Sequence, residues 1–247
     1  MSLELQTIDE THKIYQYTEG FSFGTDAVLL SGFIAPRKGS IGVELGTGTG
    51  IIPLLLSIHK DFQKIYALEI QEDYARLAQK NIAINGFEDK VEIIHGDLKE
   101  VKKLLPFYCD FVFSNPPYMK KEAGKTNDNE KKRIARHEIH CDIDDVCRAA
   151  SSLLQDKGEF YCVYRLSRMN ELFSAMTGAK LEPKNIIFVT PKKDSSHDLI
   201  LVRGVKGAKA ELKTRPPFIL QDETGERTEE CRLLYEKGII EYGRGKK

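Results

Sequence analysis

A glycine-rich turn between two apolar segments constrains this chain more than any other feature of its sequence. Ile41 to Leu45 has the length of a buried strand, and the apolar run that begins at Ile51 is typical of a helix. Between them lies Gly46-Thr47-Gly48-Thr49-Gly50. Glycines permit a sharp turn and let a ligand approach the backbone closely. The helix start also leaves N–H groups unpaired. The pattern therefore predicts a strand, a turn and a helix around a bound ligand.

The residue before the turn indicates the kind of ligand. Glu44 lies on the strand that leads into the glycines. A dinucleotide-binding turn presents the helix start to a pyrophosphate, whereas a carboxylate at this position suits an ammonium group better. S-adenosylmethionine carries an amino acid, a sulfonium and a ribose. We therefore expect S-adenosylmethionine as the cofactor.

Two further carboxylates follow the next two apolar runs. Glu69 ends the run that begins at Ile65, at the distance from the glycines where a carboxylate can hold ribose hydroxyls. Asp97 follows the run that begins at Val91, where a carboxylate can accept a hydrogen bond from an adenine amino group. Each residue alone is as well explained by a solvated strand end or a helix cap. Three carboxylates at three successive strand ends favour a nucleoside site.

The alternation of apolar runs predicts the fold class. Strands that alternate with helices indicate a parallel sheet covered on both faces. We expect an α/β, Rossmann-like fold with a mostly parallel seven-stranded sheet, helices on both faces and an antiparallel C-terminal hairpin. Strands are predicted near 41–45, 64–69, 91–95, 109–114, 158–164, 186–189 and 199–202, and helices near 50–59, 71–84, 142–155 and 168–178.

The chain of 247 residues has the length of one large domain or slightly more. We expect residues 1–40 to form an N-terminal cap or flap, with Gly24, Thr25 and Asp26 facing the methionine end of the cofactor. Residues 41–205 are expected to form the catalytic core. Residues 206–247 are expected to form a tail that packs on this core, and Lys206, Lys209, Lys213 and Arg215 make the tail a candidate for RNA contacts.

Composition excludes several classes of protein. The formal net charge is zero, which excludes a strongly basic nucleic-acid-binding surface but leaves room for local basic patches. Five scattered cysteines without a C-x-x-C pair indicate neither a zinc site nor a disulfide framework. No signal peptide and no membrane-spanning apolar run is visible. We expect a cytoplasmic protein without a metal and without a membrane partner.

The segment Asn115-Pro116-Pro117-Tyr118 directly follows the predicted strand that ends near Ser114. Ligands of open parallel sheets bind outside the carboxyl ends of the strands, so this segment is expected beside the glycine turn. The Asn115 side-chain oxygen and the Pro116 carbonyl can accept hydrogen bonds from a conjugated amino group and make its nitrogen more nucleophilic. Two prolines stiffen the segment, and Tyr118 offers a face on which a base can stack. A rigid turn is the plain alternative.

A long polar loop follows this segment. It spans residues 119–136 and is rich in lysine and arginine. Loops of this length are usually functional or disordered. A solvated surface loop and a phosphate-contacting loop are both compatible with this composition.

These motifs resemble those of class I S-adenosylmethionine-dependent methyltransferases of the Asn-Pro-Pro-Tyr group, which methylate amino or amide nitrogens. Within that group the chain is most similar to the bacterial tRNA adenine-N6 methyltransferases that modify valine tRNA. The resemblance rests on Phe21 to Leu30, Val43 to Gly50, Asn115 to Tyr118 and the tail from Gly204. It implies transfer of a methyl group from S-adenosylmethionine to N6 of an adenine in tRNA.

The motifs and the resemblance together give a set of predicted site residues. The predicted catalytic residues are Asn115, Pro116, Pro117 and Tyr118. The predicted cofactor-binding residues are Gly24, Thr25, Asp26, Glu44, Gly46, Gly48, Gly50, Glu69, Ile70, Asp97, Leu98 and Asn115. The predicted tRNA contacts are Lys120, Lys121, Lys132, Arg133 and Arg136.

Other functions remain open at this point. The same chemistry serves a glutamine side chain of a translation release factor, although enzymes of that kind usually carry a larger N-terminal domain. DNA adenine is a further acceptor, although no target-recognition domain is visible. A non-catalytic RNA-binding protein that retains the cofactor fold is an alternative from another class. A nicotinamide dehydrogenase explains the glycine turn but leaves Asn115 to Tyr118 without a role.

Overall fold

The computed structural model describes residues 2–18, 24–116 and 141–241. The strands of this part are β1 (Leu3–Thr7), β2 (Lys13–Tyr17), β3 (Ile41–Leu45), β4 (Lys64–Glu69), β5 (Val91–His95), β6 (Cys109–Ser114), β7 (Leu154–Arg165), β8 (Leu181–Lys192), β9 (Leu199–Lys206), β10 (Lys213–Thr214) and β11 (Phe218–Gln221). The helices are α1 (Thr25–Phe33), α2 (Ile51–His59), α3 (Glu72–Ile84), α4 (Val101–Leu104), α5 (Ile143–Leu153), α6 (Met169–Gly178) and α7 (Glu229–Lys237).

The main sheet has the strand order β10-β8-β9-β7-β6-β3-β4-β5, and β11 also pairs with β8. Strands β5, β4, β3, β6 and β7 run parallel, and β9 is antiparallel to both β7 and β8. The predicted α/β fold with seven strands and an antiparallel hairpin is therefore confirmed in β3 to β9. Strand order reverses between β3 and β6, and the crevice at such a point is where parallel sheets bind ligands.

Both faces of the sheet are buried, as parallel strands require. Phe111 and Phe113 of β6 belong to the apolar layer under α1 and α2, whereas Val112 belongs to the layer under α5 and α6. This alternation follows from the two-residue period of a strand. Each central strand therefore contributes side chains to both layers, which fixes its register.

The tail adds two short strands that sequence analysis did not predict. Strand β10 pairs in parallel with β8 at Asn185 and Ile186, and β11 pairs with it from Val189 to Lys192. Helix α7 then packs against β11 and α1. Gly32 of α1 lies against the Leu234 side chain, since a Cβ on Gly32 would come 2.2 Å from Leu234 Cδ1. The tail thus covers the edge of the sheet, while the boundaries near residues 40 and 205 stay a prediction.

The start of β7 differs from the sequence-based expectation. Helix α5 ends at Leu153 and β7 begins at once with Leu154, whereas a helix to about residue 155 and a strand from about residue 158 were predicted. Leu154 pairs with Cys109, and the register then shifts before Glu159 pairs with Phe111. The residues between form a bulge with Lys157 at φ 63°. The glycine and the turn-like composition therefore mark an irregularity within a strand rather than its start.

Within residues 2–18, 24–116 and 141–241, the structure contains no helix that is both long enough and apolar enough to cross a bilayer.

A glycine in β3 determines how closely β3 and β6 pack. Gly42 lies opposite Phe111, and a Cβ on Gly42 would come 2.3 Å from Cζ of the Phe111 ring. We predict that Gly42→Ala lowers the free energy of unfolding by about 2 kcal/mol, because overpacking a tight core costs about 1–3 kcal/mol. Urea unfolding at equilibrium measures this change.

Gly178→Ala is the matched control, since a Cβ at this helix end meets nothing within 4 Å. Its effect is expected to stay within about 0.5 kcal/mol, as for other surface changes. If the Gly42 and Gly178 variants were equally stable, the packing of the Phe111 ring would not require a glycine at position 42.

Candidate active site

The carboxyl ends of β3, β4, β5 and β6 form one edge of the sheet, and two adjoining cavities open there. The first cavity is lined by Leu45, Gly46, Leu68, Glu69, Ile70, Gly96, Asp97, Leu98, Ser114, Asn115, Pro116, Cys141 and Val146. The second is lined by Gly24, Asp26, Ala27, Glu44, Gly46, Thr47, Thr49, Ile51, Ile52, Tyr74 and Asn115. Among the described residues, Gly46 and Asn115 alone line both, so the cavities meet at these two residues.

The glycine turn has the backbone conformation that its sequence predicts. Gly46, Gly48 and Gly50 all have positive φ, at 80°, 57° and 80°. Residues other than glycine rarely adopt this conformation. A Cβ on Gly46 or Gly48 would meet no atom within 4 Å, whereas one on Gly50 would lie 3.2 Å from Ala78 Cβ. The first two glycines therefore leave room for a ligand, and the third lets α3 pack closely.

Glu69 holds this turn in place, a role that sequence analysis missed. Its Oε2 accepts a hydrogen bond of 2.8 Å from Gly48 N–H, and its Oε1 accepts one of 2.9 Å from Gln71 N–H. Leu68 C=O also accepts from the N–H groups of Gly46 and Thr47 at 2.9 and 3.0 Å. Glu69 is 4% exposed and lines the first cavity. Each carboxylate oxygen can accept a second bond, so the predicted ribose contact is compatible with this structural role.

Glu44 is the most unusual group in the site. It is fully buried at the wall of the second cavity, and neither of its oxygens has a hydrogen-bond partner among the described residues; the same holds for Thr47 Oγ1. Burial raises the pKa of Glu44 to about 8, the charge of Glu69 raises it further, and the nearby Thr47 hydroxyl acts in the opposite direction. Buried polar groups are normally paired, so an orphaned carboxyl at a cavity wall fits a ligand that brings its own donors, such as an ammonium.

The first cavity has the features of an adenosine site. Asp97 lies at the end of β5, where its Oδ1 accepts from Lys99 N–H at 2.9 Å and caps a short 3₁₀ turn. Ile70 and Leu98 line the same cavity, and Val146 of α5 closes it from the other side. Apolar side chains around one carboxylate suit a flat base with an amino group. The placement of Ile70, Asp97 and Leu98 thus agrees with their predicted roles, which stay predictions.

Asn115 lies where the reactive part of a cofactor spanning both cavities would lie. It follows β6 directly, and the preceding Ser114 Oγ donates to Leu45 C=O at 2.7 Å, which ties the ends of β6 and β3 together. Pro116 lines the first cavity only. Pro117, Tyr118 and the predicted tRNA contacts Lys120, Lys121, Lys132, Arg133 and Arg136 lie outside the described residues.

The N-terminal segment contributes to the second cavity as predicted, with one difference. Gly24 and Asp26 line this cavity, but Thr25 does not. Gly24 is the N-cap of α1 and makes no side-chain cap bond. Asp26 instead accepts from Ala27 N–H at 3.0 Å within the first turn.

Several cavity residues carry no signal in the sequence. Tyr74 comes from α3, Val146 comes from α5, and Cys141 lies just before α5. Their positions in the cavities depend on tertiary packing. Burial raises the pKa of the Cys141 thiol to about 12, so it is not a thiolate at neutral pH. Within the described ranges, no group of three His, Cys, Asp or Glu side chains is placed to hold a metal ion.

The residues of the two cavities fit S-adenosylmethionine. The orphaned carboxyl of Glu44 suits the ammonium, Glu69 and Asp97 suit the ribose and the base, and the open space at Gly46 admits the linking atoms. A site of this kind on a parallel sheet with an antiparallel hairpin defines a class I methyltransferase. The chain belongs to the family described as "Methyltransferase small domain", which matches residues 17–180.

Individual relatives agree with this class. The chain is 28% identical over 179 residues to the tRNA1(Val) (adenine(37)-N6)-methyltransferase of Parabacteroides distasonis, a match that covers 72% of this chain and 74% of the relative. The predicted resemblance to bacterial tRNA adenine-N6 methyltransferases is thereby confirmed.

Solved structures show the same fold. A predicted O-methyltransferase of Agrobacterium tumefaciens has a TM-score of 0.73 at 19% identity, with 89% of this chain and 100% of that chain covered. A geranyl diphosphate methyltransferase in complex with SAM has a TM-score of 0.54 at 15% identity, with 74% and 84% covered. At these identities the likeness concerns the fold alone, and it confirms the predicted fold class.

The buried carboxyl of Glu44 yields a prediction about stability and binding. Because folding raises its pKa from 4.5 to about 8, the unfolded chain binds fewer protons between these values, and the stability of the wild type falls as the pH rises through this window. We predict that Glu44→Gln removes this slope and raises the free energy of unfolding at pH 7.5 by about 4 kcal/mol, because pH 7.5 lies about three units above the unfolded pKa and each unit is worth about 1.4 kcal/mol. Urea unfolding without ligand at pH 5.5 and 7.5 measures both effects.

The same substitution is expected to weaken binding of S-adenosylhomocysteine, which keeps the ammonium, by at least about tenfold, because a charge-assisted hydrogen bond is lost. Titration calorimetry measures the dissociation constant. A variant that is less stable than the wild type at pH 7.5 and binds the ligand equally well would contradict this role of Glu44.

Proposed function

We propose that this protein transfers a methyl group from S-adenosyl-L-methionine to the exocyclic N6 nitrogen of an adenine in tRNA. One observation carries the proposal: Asn115 lies at the junction of the two cavities, beside Gly46. A hydrogen-bond acceptor at this point faces the place where a methyl group and an incoming nitrogen would meet. The name and the covered length of the relative from Parabacteroides distasonis support tRNA as the substrate.

The residues of the chain act mainly by positioning. When bound, S-adenosylmethionine supplies an electrophilic methyl group on a sulfonium. Glu44 holds the ammonium end, Glu69 the ribose, and Asp97 the adenine amino group of the cofactor. The glycine turn keeps these groups in fixed positions relative to one another, because Glu69 also accepts a hydrogen bond from Gly48 N–H. Fixed geometry of this kind lowers the barrier by removing the entropy cost of alignment.

Asn115 and Pro116 act on the acceptor nitrogen. The amide oxygen of Asn115 and the carbonyl of Pro116 accept hydrogen bonds from its two N–H groups and draw the lone pair out of conjugation with the ring. With S-adenosylmethionine bound, these two acceptors would hold the nitrogen for attack on the methyl carbon; the C–S bond would break, S-adenosylhomocysteine would leave, and the methylated nitrogen would lose its proton to water. No strong base is required before the attack, because the nitrogen becomes acidic only once it carries the methyl group.

Substrate contacts are proposed for the basic segment after Tyr118 rather than for the tail. The tail cations lie elsewhere: Lys206 Nζ donates to the carbonyls of Ser151 and Leu154 at 2.7 Å each, at the end of the sheet opposite Asn115. Arg215 pairs with Glu230. These interactions stabilise the fold. Lys206 and Arg215 therefore give no support to an RNA contact of the tail, and the lysines and arginines of residues 120–136 remain the proposed phosphate contacts.

Nucleoside mass spectrometry tests the substrate. We expect N6-methyladenosine in tRNA to disappear when cells lack this protein and to return on complementation. In vitro, purified protein is expected to methylate unmodified tRNA, but neither a glutamine-containing release-factor domain nor a DNA duplex. Methylation of either of these in preference to tRNA would overturn the proposed substrate, and RNA binding without any transfer would favour a non-catalytic role.

Asn115→Ala tests the chemistry. We predict a loss of about 10²–10³-fold in the single-turnover rate of methyl transfer to tRNA, because a fixed acceptor of the transition state is removed. Titration with S-adenosylhomocysteine shows whether the variant still folds and binds, so that a loss of rate measured with the ligand site saturated reports on the transfer step. A variant that transfers methyl groups at the wild-type rate would rule out the proposed role of Asn115.

A further inference from the structure

The N-terminal hairpin has an unusual neighbour on its second strand. Strands β1 and β2 form a separate two-stranded sheet, so in the part of the chain that the structure describes one edge of β2 has no strand beside it. Helix α3 lies along this edge. Unpaired strand edges are normally covered or satisfied in native proteins, and here side chains of a helix satisfy them.

Asn81 of α3 and Asn85, which follows its last residue, make the backbone hydrogen bonds that a neighbouring strand would otherwise make. Asn85 accepts from Lys13 N–H at 3.0 Å and donates through Nδ2 to Lys13 C=O at 2.7 Å. Asn81 accepts from Tyr15 N–H at 2.7 Å and donates to Tyr15 C=O at 3.0 Å. Residues four apart on a helix share a face, and alternate residues of a strand turn their backbone groups to the same side. The spacing of the two amides on the helix therefore matches the spacing of Lys13 and Tyr15 along β2.

Asn81 makes one contact that Asn85 lacks. Its Nδ2 also donates to Thr49 C=O at 2.9 Å, within the glycine turn. Asn81 is fully buried, with 0% of its surface exposed. Its amide thus makes three hydrogen bonds, which join the hairpin, α3 and the turn in one buried contact.

We infer that Asn81 is a positioning residue that couples the N-terminal hairpin to the cofactor site. Thr49 lines the second cavity together with Glu44, and Gly50 next to it packs against Ala78 of α3. The hydrogen bond from Asn81 therefore helps to fix the direction of the Thr49 carbonyl. The Asn81 side chain therefore connects the hairpin directly to the cofactor-binding turn.

The inference rests on the cofactor site and not on the identity of the acceptor. It gives Asn81 no contact with the cofactor or with the reacting atoms. Asn85 belongs to the same pair of amides and lacks the bond to the turn, so the chain itself supplies a matched control.

The test compares Asn81→Ala with Asn85→Ala by two measurements, the free energy of unfolding and the dissociation constant of S-adenosylhomocysteine. Both variants lose two hydrogen bonds to β2, so both are expected to be less stable than the wild type. Only Asn81→Ala is expected to weaken ligand binding, by at least about tenfold, the effect of losing a buried polar contact. Asn85→Ala is expected to stay within twofold, roughly the level of a remote change.

If Asn81→Ala does not fold cooperatively, Asn81→Leu replaces it, because a side chain of similar size fills the same space and carries no donor for Thr49 C=O. Equal shifts in the dissociation constant for the Asn81 and Asn85 variants would overturn the inference, since the hairpin alone would then explain them. So would wild-type affinity in the Asn81 variant. Failure of the wild type to bind S-adenosylhomocysteine would overturn the cofactor assignment as well, which separates the two failures.

Discussion

The structure depends on one buried interaction, the pair of hydrogen bonds that Glu69 accepts from Gly48 and Gln71. The glycine turn contains three residues with positive φ, and such a segment has many alternative conformations when it is not held. A carboxylate at the end of the neighbouring strand selects one of them. Helix α2, the cavity beside Glu44 and the approach to Asn115 are all arranged around the turn that results.

Glu44 shows the conflict between stability and function in its simplest form. A buried carboxyl without a partner destabilises the folded chain when it ionises, which is why burial raises its pKa to about 8. The same absence of a partner leaves it ready for a cationic group on a ligand. Buried polar groups of this kind are expected where a site binds charge, since functional sites are often less stable than the scaffold around them.

Sequence reasoning succeeded where the physical signal is local. Apolar runs gave β3 to β6 nearly to the residue and placed β7, β8 and β9 with bounds that are too short. The predicted glycines and carboxylates at strand ends lie together at the cavities because parallel strands bring their carboxyl ends together. It failed where the outcome depends on partners distant in the chain. The bulge before Glu159 requires the register against Phe111, and the role of Asn81 requires the backbone of Tyr15. No periodicity in one segment reports such contacts.

The two short strands of the tail determine when the sheet is completed. Strand β8 is twelve residues long, and its outer edge is paired only by β10 and β11, which follow it by about twenty residues in the chain. During synthesis on the ribosome the other strands are available before this edge is closed. A nascent chain that stalls before Phe218 therefore exposes unpaired backbone beside an apolar layer, which is the arrangement that promotes aggregation. Translation speed over this stretch thus bears directly on the yield of folded protein.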